Sequence, residues 1–125
     1  MNITEKDLMV GDWVQYGDIH PIKTRVLGIS SVDNGKHWHI EAEPENANSM
    51  RIVAMHAVEP IPLTAEILEK NFPTIEDGVT WSEIADSDLF NIRAEYDKYV
   101  EGIFKYVHEL QHTLKLVGIE KEIKL

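Results

Sequence analysis

The chain contains no cysteine. That excludes disulfide staples, thiolate metal sites and a cysteine nucleophile. Any metal must be held by histidines and carboxylates, and any covalent nucleophile must be Ser, Thr, Lys or a carboxylate. Long apolar runs are missing too; a membrane helix needs about 18 such residues in a row. The start, Met1 to Asp7, has no apolar signal core, which makes the cytoplasm the expected location. Cations are scarce: 12 Lys and Arg face 22 Asp and Glu, a net charge of −10. Residues 1–60 carry five cations against nine anions (−4), and residues 61–125 carry seven against thirteen (−6). Affinity for nucleic acid comes largely from cations neutralising phosphates. With this charge and no Lys/Arg cluster, neither a nucleic acid nor an anionic membrane is expected as a partner. A protein partner or a cation remains compatible with it.

What is present is a distributed apolar fraction. The 125 residues are 43% hydrophobic, enough for one domain with its own core. No repeat or low-complexity tract interrupts it. Gly11 and Asp12 turn the chain into a strand with the β-formers Trp13, Val14 and Tyr16, and Gly17 and Asp18 break it. A second β-rich run covers residues 22–30, and Asp33, Asn34 and Gly35 form a strong turn signal. Lys36 to Glu43 alternates cleanly. Trp38, Ile40 and Ala42 share one face; His37, His39, Glu41 and Glu43 share the other, the pattern of a half-buried strand. After a polar loop, Pro44 to Ser49, Met50 to Val58 is again strand-like. Trp13 and Trp38 are expected in the core.

Beyond Pro60 and Pro62 the pattern changes. Thr64 is placed to cap a short helix, with Leu63 and Leu68 at the positions of a hydrophobic staple and Glu66 suited to the helix dipole. Asn71 and Pro73 stop it. Thr74 to Asp88 carries little signal beyond a turn at Asp77 and Gly78. Leu89 to Tyr96 alternates, with Phe90, Ile92, Ala94 and Tyr96 inward. Residues 99–102 fit a strand and a helix equally. Ile103, Val107, Leu110, Leu114 and Val117 then form one apolar stripe of an amphipathic helix capped at Gly118. The tail, Lys121 to Leu125, reads as an edge strand.

The opening, Leu8 to Val14 with Gly11, Asp12 and Trp13, resembles the first strand of SH3-like small barrels. The resemblance covers about the first 58 residues. With the elements read above, the expected fold is α+β: an SH3-like barrel over residues 1–60, then a helix, further strands and a C-terminal helix over 61–125, in a single domain. The stretches Glu59 to Leu68 (EPIPLTAEIL) and Tyr106 to His112 (YVHELQH) are similar to a family of short uncharacterised proteins from gut anaerobic bacteria. That likeness covers most of the chain. It implies a setting in mobile elements or phage-like gene clusters, and it carries no activity with it.

One stretch spells a zinc-enzyme signature. In His108-Glu109-Leu110-Gln111-His112 two imidazoles four apart on a helix can share a zinc, with Glu109 as general base for the metal-bound water. A catalytic zinc needs a third protein ligand. The long form of the motif would place Gly at 115 and His at 118, where this chain has Lys115 and Gly118. Glu120 and Glu122 are the only carboxylates downstream; His20, His37, His39 and His56 lie upstream. On a helical wheel His108 and His112 share their arc with Glu101, Lys105 and Lys115, the pattern of a solvated face. His37 and His39, two apart on a strand with Glu41 beyond them, form a second candidate pair. Asp86, Ser87 and Asp88 hint at a cation loop but lack the Gly of a calcium loop, and fit turn chemistry better.

The favoured reading is therefore a non-catalytic module that binds a protein partner through the barrel face or an exposed strand edge, with no cofactor. The alternative is a small zinc-dependent hydrolase using His108, Glu109 and His112. A third reading, an accessory protein touching nucleic acid, runs against the charge.

Overall fold

The computed structural model describes residues 3–17, 19–45, 49–73 and 78–125. Asp18, much of the expected loop from Pro44 to Ser49, and Asp77 of the expected turn fall outside them. The chain divides into two units, Met1–Ile61 and Pro62–Leu125. Among the described residues the fold is α+β, with eight strands in two antiparallel sheets and two helices.

In the first unit the turn at Gly11 and Asp12 feeds β1 (Trp13–Tyr16). Asp12 is buried, and its carboxylate accepts the Met9 amide at 2.8 Å. The turn is tied to the next strand by Gly11 N–H donating to Val26 and Val26 N–H donating to Asp12, at 2.7 and 2.8 Å. β2 (Ile22–Val32) is long and carries a register shift between Val26 and Gly28, where an extra residue bends a strand. Asp33 and Asn34 adopt left-handed φ of 53° and 57°, as the Asp-Asn-Gly turn predicted. β3 (His37–Pro44), β4 (Arg51–Ala54), a single 3-10 turn (Met55–Ala57) and β5 (Val58–Pro60) follow.

The strand order is β4-β3-β2-β1-β5, a meander whose last strand returns beside the first. The alternation in β3 holds: Ile40 and Ala42 are buried, Trp38 packs half-buried against the core, and His37 and Glu43 are exposed. Val14, Val26, Ile40, Ala42, Val53 and Val58 form the centre of that core. Trp13 is buried beneath the Arg25 guanidinium, 5.0 Å from the ring centre.

In the second unit α1 (Ala65–Asn71) starts where expected. Thr64 Oγ1 accepts the Ile67 amide at 3.2 Å, and Leu63 and Leu68 are buried. A three-stranded sheet, β6-β7-β8, comprises β6 (Val79–Glu83), β7 (Phe90–Glu95) and β8 (Tyr99–Phe104). α2 (Val107–Val117) buries Val107, Leu110, Leu114 and Val117 and ends at Gly118, with φ 87°.

Four expectations need correction. β6 occupies a stretch that carried little sequence signal. Tyr96 is not inward; it lies past the end of β7 and is 71% exposed. Ile103 belongs to β8, opposite Asn91 and 64% exposed, so the helical stripe begins four residues later at Val107. Lys121 to Leu125 forms no strand, yet Ile123 is buried. No helix among the described residues is long and apolar enough to cross a membrane.

Candidate functional site

The zinc-like stretch lies on the first turns of α2, as its periodicity required, but its side chains are engaged differently. Glu109 turns back on the start of its own helix. Its Oε1 accepts the backbone amides of Tyr106 at 2.8 Å and Lys105 at 3.0 Å. That is the carboxylate half of a capping box, which satisfies amides a helix start leaves without partners. His108 does not lie on a solvated face: it is 4% exposed. The Tyr106 ring stacks on it at 6.0 Å between centroids, and the His112 ring meets it edge-on at 5.7 Å. Gly118 ends the helix where the longer motif would have its third histidine. Among the described residues no three side chains of His, Cys, Asp or Glu gather around a point that could hold an ion.

The capping role predicts a distinct mutational pattern. Glu109→Gln keeps an oxygen acceptor and is expected to leave thermal stability nearly unchanged. Glu109→Ala removes it and is expected to cost about 1 kcal/mol. Denaturation curves of both variants, with zinc measured by elemental analysis, check this; a Gln variant that lost activity while holding zinc would point to a general base instead.

The second histidine pair is also divided. His39 Nε2 lies 2.7 Å from Ser30 Oγ across the β2–β3 ladder, and His37 Nε2 lies 3.8 Å from Asp33 Oδ2. Ser30 and His39 form a hydroxyl–imidazole pair that the sequence did not flag, since only the register β2 adopts makes them neighbours. A nucleophile needs its base oriented by a third group and a site for the developing charge. On the sheet face this pair reads as a cross-strand hydrogen bond. Asp86, Ser87 and Asp88 make the β6–β7 turn: Ser87 Oγ donates to Ile84 O at 2.9 Å and accepts the Leu89 amide at 3.1 Å.

The outer face of the second sheet carries one electrostatic network. Tyr99 O–H donates to Glu101 Oε2 at 2.7 Å, and Arg93 Nε lies 3.2 Å from Glu101 Oε1. The hydrogen bond to Glu101 raises the Tyr99 phenol above its ordinary 10.0; the same bond, with Arg93 adding to it, lowers the Glu101 carboxyl below 4.5. A lowered carboxyl stabilises the fold above its unfolded value, and that contribution is lost as pH falls through the folded one. Spectrophotometric titration should place Tyr99 above 10.0, and Glu101→Gln should bring it down.

No family model, no curated protein and no solved structure matches the chain. The site must therefore be found in the geometry of each unit.

Among the described residues of the first unit, clefts open at both ends of β4. One, of about 450 Å³, is lined by Ile3, Trp38, Ala54, Met55 and His56 together with Glu5, Lys36 and His37. Its side chains come from the start of β3 and the 3-10 turn after β4. Trp38 is held in place by its indole N–H, which donates to Gly35 O at 3.1 Å. The other, of about 510 Å³, is lined by Tyr16, Pro21, Ile22 and Pro44, with His20, Lys23, Arg51 and one carboxylate, Glu45. A fixed aromatic wall beside apolar and polar side chains is what recognition of a chain segment requires. The sequence placed Trp38 on the core side of β3. It could not show that the 3-10 turn brings Met55 and His56 beside it.

Proposed function

We propose that the protein is a non-catalytic module that binds an extended segment of a protein partner at the Trp38 cleft. The observation that carries this reading is the half-buried Trp38, fixed through its indole N–H to Gly35 and flanked by Met55 and His56 in an open cleft of about 450 Å³. An aromatic side chain fixed in advance contributes contact area at little cost in conformational entropy. The chain's charge of −10 fits a protein partner and opposes nucleic acid. The capping role of Glu109 gives its carboxylate a structural task, which supports this reading over a zinc hydrolase. A cytoplasmic location and an origin in mobile or phage-like elements remain parts of this proposal.

The test is selection of a random heptapeptide phage library on the purified chain, with Trp38→Ala as control. Peptides enriched on the parent should bind the variant at least about tenfold more weakly, as expected when an interface anchor is truncated. Their binding should shift the intrinsic fluorescence of the parent. A library that yields no enriched peptide, or peptides indifferent to Trp38→Ala, would refute the reading.

A further inference from the structure

We infer that the bound segment adds as a sixth strand at the open edge of β4, running antiparallel to it, with an apolar residue opposite Ile52 followed directly by a carboxylate opposite Arg51. This inference rests on the partner being a protein segment, as proposed above.

β4 is the terminal strand of its sheet. Its inner side pairs with β3, Arg51 opposite Ala42 through Ala54 opposite His39. Among the described residues no strand pairs with its outer side. A terminal strand presents a row of N–H and C=O groups that can template another chain, and antiparallel pairing is the more stable per residue. Proteins commonly guard such edges with proline, lysine or an inward-pointing charge. Here the strand carries Arg51 on its inner face, but on the other it presents Ile52, 66% exposed, after an exposed Met50.

The two faces of β4 differ, and this sets the partner's pattern. Val53 is buried in the core, so by the twofold period of a strand Arg51 shares its side and Ile52 takes the other. Arg51 accordingly lines the cleft with Lys23, His20 and Tyr16. A residue added opposite Arg51 would project to that same side, beside two cations and a histidine against one carboxylate, Glu45, among the described lining residues. In a chain with a net charge of −10 this is a local reversal of sign, and it suits an Asp or Glu on the partner. A residue opposite Ile52 would lie against its exposed side chain and suits Val, Ile or Leu. In the antiparallel direction the carboxylate comes after the apolar residue. The preceding part of the segment then runs past Ala54 towards Met55, His56 and Trp38, so one extended segment engages the edge and both clefts.

The test uses the same heptapeptide phage library, selected on the parent and on Arg51→Glu. The expected parental consensus is an aliphatic residue followed by Asp or Glu. On the variant that second position should turn to Lys or Arg, and the parental peptide should bind the variant about tenfold more weakly. Hydrogen exchange of the parent with its peptide should slow the amides of residues 51–54. Peptides that need Trp38 but keep their consensus on Arg51→Glu, with no slowing in β4, would overturn strand addition and leave the cleft reading standing. Peptides that swap charge and protect β4 but ignore Trp38→Ala would support strand addition and refute the cleft. No enrichment on either protein would overturn both.

Discussion

Replacing Asn71 with alanine is expected to cost about 2–4 kcal/mol, because it breaks several hydrogen bonds around one buried side chain. Asn71 is the last residue of α1 and is buried. Its Nδ2 donates to Ile67 O at 2.8 Å and to Lys124 O at 2.7 Å, and its Oδ1 accepts the Lys124 amide at 2.8 Å. The Asn71 carbonyl accepts from the Lys121 ammonium, which also stands over the Phe72 ring. One side chain thus ties the C-terminal tail to the end of α1. Alanine leaves the Lys124 amide and carbonyl without these partners. Asn71→Asp keeps the acceptor but sets an anion against two carbonyl oxygens, and is expected to be no better. Urea denaturation reads the global loss. Limited trypsin digestion reads the local one, since cleavage after Lys121 and Lys124 should quicken as the tail is released. If trypsin attacked parent and variant alike, the clamp would not be what holds the tail.

That clamp marks the boundary between what the sequence revealed and what it hid. Asn71 was readable as a helix stop, because asparagine competes for backbone bonds locally. Its grip on a residue 53 positions away has no local signature. The same distinction holds elsewhere. Thr64, Leu63 and Leu68 were legible because a cap and its staple are set by near neighbours. The faces of β3 were legible because a strand alternates with period two. The tail failed as a strand because Ile123 was buried by packing rather than by pairing. β8 and α2 were confused because Ile103 satisfies both a strand's alternation and a helix's stripe, and only pairing with Asn91 decides between them.

The candidate site was partly legible on the same grounds. A wheel that starts the helix at Ile103 sets His108 among charged residues. In the fold the helix starts at Val107, and the Tyr106 ring, one residue before it, covers His108. Glu109 was recognisable as a helix-start carboxylate once that boundary was known, since a capping glutamate sits three residues after the cap. Trp38 was visible as an aromatic on the apolar face of β3. Its role as a cleft wall depends on Met55 and His56, which reach it only through the strand order. Arg51 gave no signal, because its importance lies in the sign of the charges, Lys23 of β2, His20 before it and Glu45 after β3, that the fold brings beside it.

Gly118 is the position where a single methyl group is expected to do comparable damage. It holds φ at 87°, and its amide and that of Ile119 close the end of α2 on Lys115 O and Leu114 O at 3.2 and 2.9 Å. A residue with a Cβ pays about 1–2 kcal/mol to adopt that left-handed conformation. The added Cβ would also stand 2.5 Å from Asp97 Oδ2, closer than non-bonded atoms tolerate. Gly118→Ala is therefore expected to lose about 2–3 kcal/mol, the conformational cost plus the displacement of Asp97. The two parts are separable because the backbone bond from Asp97 N–H to Val117 O, 2.9 Å, does not involve the Asp97 side chain. In an Asp97→Ala background the same glycine substitution should cost only the conformational part, about 1–2 kcal/mol. Gly118→Asn in that background should cost less still, since asparagine enters the left-handed region most readily after glycine. A double-mutant cycle in urea measures each step. Equal losses in both backgrounds would mean that Asp97 moves aside freely, leaving the left-handed turn alone to demand glycine.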